Sequence, residues 1–182
     1  MNVTPELDAR FRAAALREGI VDVRYDVIDS PVGELLIAAT DRGLARIHFD
    51  PEGQEDELAR IFGRRVLRGP IDDVRRELDE YFEGSRREFD LRLDLRVASF
   101  NAEVLAELAR VPYGVTTTYG TLAGKVGHPR AARAVGTVMN RNPIPIVLPC
   151  HRVVGANGSL TGYAGGLDRK LQLLQLEGAI LG

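Results

Sequence analysis

One cysteine occurs in the 182 residues, Cys150, and it stands in the run Pro149-Cys150-His151-Arg152-Val153. A single cysteine excludes an internal disulfide and any zinc site built on several thiolates, so it is either inert packing or a reactive thiol. Free cysteine is usually buried and inert, but here the neighbours favour reactivity. Thiolate is the nucleophilic form, and nearby His or Arg charge lowers the thiol pKa. The apolar, proline-punctuated run from Ile144 to Pro149 predicts an extended strand that delivers Cys150 to a rigidly fixed place. Side chains adjacent on a strand face opposite ways, so His151 would reach the thiol through a water or a bend. Glu177 falls near the end of the last helix, where an acid opposes the helix dipole. Orienting a histidine would account for it. His48 and His128 read as structural.

Five glycines follow the thiol within twelve residues: Gly155, Gly158, Gly162, Gly165 and Gly166. Bare backbone of this kind can lie flat against a planar ligand. Leu160, Tyr163 and Leu167 argue that the segment is anchored, and Asn157-Gly158 is a hairpin-turn signal.

Charge adds a second theme. The formal net charge is -2, yet no Asp or Glu occurs from Leu108 through Leu167. That stretch holds Arg110, Lys125, Arg130, Arg133, Arg141 and Arg152. Such a surface attracts polyanions, because phosphates meet cations without competing carboxylates. An acid-poor buried segment is the alternative reading. A helix from Arg130 to about Asn140 carries Ala131, Ala132, Ala134 and Gly136, with Arg133 standing among them. Small residues let a backbone approach a surface closely while one long cation projects beyond it; tight helix–helix packing would use the same residues.

These groups need elements to hold them. Hydrophobic residues at 45% and charged residues at 27% describe a globular chain. No apolar run is long enough to span a membrane, and no secretory leader is visible, which predicts a cytoplasmic protein. Residues 5–19 read as a short amphipathic helix. Strands are expected over 21–27, 35–39 and 44–49, joined by tight turns into an antiparallel meander. Helices follow over 52–63 and 71–84, the second with Val74, Leu78, Tyr81 and Phe82 on one face. Alternation at Phe89, Leu91, Leu93 and Leu95 predicts a further strand. Ser99 is placed to cap a helix carrying Phe100, Val104, Leu105 and Leu108. Thr118 is placed to cap a short helix from Tyr119, and Gly127-His128-Pro129 turns into the third, giving a helix-turn-helix pattern. Asp168 is placed to cap the last helix. The fold class is α+β: an N-terminal antiparallel-sheet module with helices over 1–96 and a mostly helical domain over 97–182.

The second half resembles the O6-alkylguanine-DNA alkyltransferase family. The resemblance rests on Asn142-Pro143-Ile144-Pro145 and the Pro149–Val153 run, with Val111-Pro112-Tyr113-Gly114 and Thr118-Tyr119-Gly120 before them. Ala131-Ala132-Arg133-Ala134-Val135-Gly136, Gly162-Tyr163-Ala164-Gly165-Gly166-Leu167, Lys170 and Glu177-Gly178 complete it. The match runs from about residue 99 onward in order. The first half is similar to the family's variable, ribonuclease-H-like domain only through Ser30-Pro31-Val32-Gly33 and Arg42-Gly43-Leu44.

The resemblance implies single-use repair of duplex DNA containing O6-alkylguanine, and O4-alkylthymine besides. In it the third helix enters the minor groove, Arg133 takes the place of the damaged nucleotide, and the base flips into a pocket. Ala132, Ala134, Gly136, Thr118, Arg130 and Arg141 accompany Arg133 on the DNA. Tyr119 donates a proton toward guanine N3. The carbonyls of Cys150 and Val153 accept from the exocyclic amine, the Ala164 amide donates to O6, and Tyr163 covers the base beside Gly165 and Lys170. Glu177, His151 and a water linked to Asn142 draw the proton from Cys150, whose sulfur takes the alkyl group. No cofactor or metal is implied, and the protein acts as a monomer able to pack cooperatively on DNA.

The chain departs from the family pattern in having no Trp, with Leu105 aligned to the usual position, and in Ala98-Ser99 before that helix. Val138 and Met139 are larger or less polar than is usual and would alter how the third helix meets the groove. Three other functions compete: a non-enzymatic alkylated-base sensor, which would not need Cys150; a Cys-His hydrolase or transferase, which has no use for the acid-free stretch; and a plain helix-turn-helix regulator, which leaves Cys150, His151 and Glu177 unexplained.

Overall fold

The structure is a computed structural model that describes residues 4–180. A helix α1 (Pro5–Arg17) precedes the meander β1 (Val23–Ile28), β2 (Leu35–Thr40) and β3 (Gly43–His48). Then come α2 (Gln54–Phe62), β4 (Val66–Arg68) and α3 (Asp72–Phe82). The sheet order is β3-β2-β1-β4, with β1, β2 and β3 antiparallel in sequence and β4 parallel to β1. The three-residue β4 was not expected, because so short a segment shows no alternation.

Strand β2 is central and buried on both faces. Leu35, Ile37 and Ala39 join the main core, while Leu36 and Ala38 pack with Val23 and Leu58 under α2. That two-sided burial explains why Leu35 to Ala39 reads as a continuous apolar run rather than an alternation.

Residues 89–95 are not a strand. They run extended past the start of β3 and touch it at one bridge, Leu44 to Leu93. Leu44 N–H donates to Arg92 O and Asp94 N–H to Leu44 O, each at 2.8 Å. Leu91, Leu93 and Leu95 pack against the core, so the alternation marks a half-buried extended chain without a ladder. Gly43 makes the approach feasible: a Cβ there would lie 2.2 Å from Arg92 O, and its φ is +139°.

The second half holds α4 (Ser99–Ala109), β5 (Thr117–Thr118), α5 (Tyr119–Lys125), α6 (Ala132–Asn140), a 3-10 turn over Cys150–Arg152, β6 (Val153–Val154) and α7 (Leu167–Leu176). Thr118 caps α5 as expected, accepting from Thr121 N–H at 3.1 Å. Ser99 does not cap α4; it is the first helical residue, and Ala98 occupies the cap without a side-chain bond. Asp168 likewise lies in the first turn of α7, behind Gly166. An acid there still complements the helix dipole. Pro129 and Arg130 belong to the turn before α6, closed by Ala131 N–H to His128 O at 2.8 Å.

The main core is continuous through both halves, linking Leu35, Ile37, Leu78 and Tyr81 with Leu105, Leu122, Val135 and Leu173. No helix among the described residues is long and apolar enough to cross a membrane.

Candidate active site

The expected strand under Cys150 is instead a tight turn. Cys150 N–H bonds back to Leu148 O at 2.8 Å, and Arg152 N–H to Pro149 O at 2.9 Å. Before it the chain doubles on itself: Ile146 is buried with a φ of 75°, a costly conformation for a β-branched residue. Asn142 holds this segment from inside, its Nδ2 donating to Leu148 O at 2.7 Å and its Oδ1 accepting from Ile144 N–H at 3.1 Å. The parallel pair β5 and β6 then sets Thr117 beside Val153.

The turn changes the chemistry. On a strand His151 and Arg152 would face opposite ways; from one 3-10 turn both reach the same carboxylate. His151 Nε2 lies 2.7 Å from Glu177 Oε1, and Arg152 meets Glu177 through Nε to Oε2 at 2.8 Å and Nη2 to Oε1 at 2.9 Å. Tyr81 O–H donates to Oε1 at 2.7 Å, and Gly114 N–H to Oε2 at 3.2 Å. Arg152 Nη1 donates to Val111 O at 2.5 Å. Glu177, His151 and Arg152 are all buried.

Electrostatics follow from these contacts. Burial alone would push the Glu177 carboxyl up, but the hydrogen bonds from His151 and Arg152 and their charge outweigh it and hold it down at about 2. Burial lowers the His151 pKa against the pull of Glu177, so the ring is neutral. With Nε2 on an ionised carboxylate, the ring proton is assigned to Nε2. Nδ1 is buried and has no protein partner among the described residues, leaving its lone pair ready to take a proton.

The thiol behaves contrary to the expectation from its neighbours. Burial pushes Cys150 up to about 11, opposed by a hydrogen bond from the Asn142 side chain and by the charge of Lys170. The Arg152 guanidinium is turned to Glu177 instead. Cys150 is only 3% exposed. The resting site therefore holds a protonated thiol and a neutral imidazole, and ionisation must be coupled to proton transfer.

Lys170 is fully buried on α7, donating to Val153 O at 2.6 Å and Thr161 O at 2.8 Å. Burial lowers its pKa to about 8. It orients the Val153 carbonyl and ties the glycine-rich loop to α7. The turn at Gly158 is present, with Gly158 N–H donating to Gly155 O at 2.9 Å, but only β6 precedes it and no strand follows, so no hairpin forms. In that loop Tyr163 is buried and Ala164 exposed. The Tyr163 ring packs against Phe49 of the first half, centroids 5.6 Å apart. Gly165 is bare for that reason: a Cβ would lie 2.6 Å from Phe49 Cδ2. Arg169 closes the joint, stacking on Phe49 at 5.2 Å and donating to Val32 O at 2.9 Å.

Tyr119 O–H reaches the same loop, donating to Thr161 O at 3.2 Å. The outer face of α6 presents Arg133 and Ala134 to solvent, with Ala132 and Gly136 half-exposed. Val138 and Met139 are buried, so they pack inward and do not meet a groove. Arg130 is exposed on the preceding turn. Arg141 stands apart from this face, lining a cleft between the halves with Arg46, Phe62 and Asn101. Sequence reasoning missed Tyr81, whose ring reads as one more apolar position of α3, and the carboxylate-binding role of Arg152.

The family model for the DNA-binding domain of 6-O-methylguanine DNA methyltransferase matches residues 99–179, and that for its ribonuclease-like domain matches residues 23–95. A methylated-DNA–protein-cysteine methyltransferase of Methanosarcina acetivorans is 42% identical over 157 residues, 85% of this chain and 98% of that one. One from Mycolicibacterium paratuberculosis is 44% identical over 85% of this chain and 92% of its own. The crystal structure of a Mycobacterium tuberculosis relative in complex with DNA superposes with a TM-score of 0.77 at 40% identity, covering 85% and 92%. With both halves matched in order, this chain belongs to the 6-O-methylguanine DNA methyltransferase family, the methylated-DNA–protein-cysteine methyltransferases.

Proposed function

We propose that Cys150 is the alkyl acceptor and that O6-alkylguanine in duplex DNA, with O4-alkylthymine as a second substrate, is the donor. The chain is a DNA-repair methyltransferase that moves an alkyl group from DNA to a cysteine of its own. The observation that carries the assignment is the cysteine count: an enzyme of this kind needs an acceptor thiol, and the chain has one.

The chemistry is a single in-line displacement. Through a water linked to Asn142, His151 Nδ1 takes the thiol proton, with Glu177 stabilising the imidazolium that results. The sulfur lone pair forms the S–C bond as the C–O6 bond breaks, and the electron pair passes into the purine. Tyr119 O–H supplies a proton toward N3, so guanine leaves as a neutral base, and solvent restores the phenol. The carbonyls of Cys150 and Val153 read the exocyclic amine, the Ala164 amide bonds O6, and Tyr163, backed by Phe49 across Gly165, covers the ring. A thioether remains and nothing in the site can cleave it, so each molecule acts once.

The outer face of α6 enters the minor groove, Arg133 fills the stack, and Ala132, Ala134 and Gly136 let the backbone approach. Thr118 and Arg130 accompany them, whereas Arg141, in the cleft between the halves, lies off this face. Thr118 bonds Thr121 and so also shapes the start of α5. The working unit is a monomer of two modules, 1–96 and 97–182.

Incubation with a duplex bearing O6-methylguanine, followed by peptide mass spectrometry, tests the reading. The peptide holding Cys150 gains the mass of one methylene, once per chain; an unmodified peptide after the lesion is bound would favour a sensor instead.

A further inference from the structure

Glu177 is held from both halves of the chain. Four of the five hydrogen bonds that its carboxylate accepts come from the second half. The fifth comes from Tyr81 on α3, 96 residues away in sequence. That ring is fully buried and fixed by Phe82, Phe89 and Tyr113, with centroid separations of 5.3, 5.4 and 6.0 Å. Three aromatic neighbours leave the hydroxyl one direction, toward Oε1. His151 uses the same oxygen at 2.7 Å.

We infer that the Tyr81 hydroxyl is a positioning group for the proton relay, through which the N-terminal half sets the reactivity of Cys150. The inference rests on the relay proposed above. Donating to Oε1 fixes the rotation of the carboxylate and draws charge from the oxygen that faces the imidazole. Oε1 is then basic enough to orient the Nε2 proton of His151 and too weak to remove it. The ring stays in the tautomer whose Nδ1 lone pair can take the thiol proton through the water. Tyr81 suits a constant donor: burial and the Glu177 charge both raise its pKa, so it keeps its proton.

Removing the hydroxyl has a definite sign. Glu177 is faced by Tyr81 from α3, by Tyr113 and the Gly114 N–H from the loop after α4, and by His151 and Arg152 from the 3-10 turn. His151 is faced by Glu177, Arg152 and Lys170. Without the Tyr81 donor the carboxylate becomes more basic, the imidazolium becomes easier to form, and neutral His151 is depleted at a higher pH.

The test is single-turnover transfer from free O6-benzylguanine, which removes DNA binding from the measurement, across a pH series with the full chain. Tyr81→Phe keeps the ring packing. Above the acid limb it is expected to slow transfer roughly threefold to tenfold, the weight of one hydrogen bond, because a carboxylate free to rotate no longer holds the ring in the tautomer that accepts at Nδ1. The acid limb of the rate profile should also move to higher pH. In a Glu177→Gln background the same substitution should add no further loss. A Tyr81→Phe profile that overlays the wild type while Glu177→Gln is slow overturns the inference, whether or not the melting temperature falls. So does an additive loss in the double variant, which would place the effect in packing. If Glu177→Gln alone transfers at the wild-type rate, the relay itself fails.

Discussion

Arg152 closes on Glu177 with two parallel hydrogen bonds, 2.8 and 2.9 Å, while its third nitrogen spans to Val111 O. A planar fork is needed for this, and lysine has none. Arg152→Lys should therefore leave a buried carboxylate short of a partner and an orphaned carbonyl. We expect a loss of about 3 kcal/mol in unfolding free energy, the usual weight of breaking a buried ion pair, together with slower transfer. Denaturant unfolding checks it; a change below about 0.5 kcal/mol would be that of an exposed pair and would contradict the buried fork.

Acid should unfold the protein through the same carboxylate. The folded pKa of Glu177 is depressed from 4.5 to about 2. Its contribution is therefore fully present above pH 4.5 and is lost as pH falls through about 2. His151 is also depressed, below 6.5, so its contribution is present above 6.5 and begins to fade at a milder acidity. Stability measured against pH should fall in both windows for the wild type, and Glu177→Gln should lack the loss between 4.5 and 2. Parallel curves would be incompatible with the hydrogen bonds described.

The joint between Phe49 and Gly165 predicts a rescue. Gly165→Ala forces a methyl group to within 2.6 Å of the Phe49 ring, displacing Tyr163 from the place in which we propose that it covers the base. Transfer should drop by at least about tenfold, given what small misplacements cost near reacting atoms. Phe49→Ala in the same chain removes the obstacle and should restore part of the rate. A double variant no better than Gly165→Ala would mean the clash is not the cause.

Arg133 projects from α6 with no protein partner among the described residues. Arg133→Ala should weaken repair of a duplex far more than reaction with free O6-benzylguanine, because only the duplex needs the gap filled. Equal losses on both substrates would count against insertion. Raising salt should lower DNA affinity with a slope set by the few phosphates neutralised.

How much of this could be read from the chain varies by residue. Cys150, His151 and Glu177 stand out by type and position, and Thr118 announces the start of α5 by its hydroxyl. The meander is legible because its turns are marked by Gly33 and Gly43. The conformation under Cys150 is not, since prolines signal rigidity without saying whether the chain is straight or turned, and a positive φ at Ile146 defies local preference. Lys170 has the appearance of a surface residue; only the carbonyls of Val153 and Thr161 explain its burial. Tyr81 is invisible for a related reason: its ring obeys the helix pattern while its oxygen answers to a residue far along the chain.

The raised thiol pKa makes a direct prediction. A value of about 11, against an ordinary 9.0, leaves roughly a hundredfold less thiolate at neutral pH. Iodoacetamide should label Cys150 more slowly than it labels free cysteine by about that factor. Labelling as fast as free cysteine would mean that the sulfur is neither buried nor protonated at rest.

A reagent that is spent by its one reaction must survive until it is needed. The idle molecule, its sulfur kept protonated and walled off, should react slowly with the peroxides and stray electrophiles that consume ordinary thiols. Its capacity then depends on how many copies have met a lesion and hardly on how long they have waited.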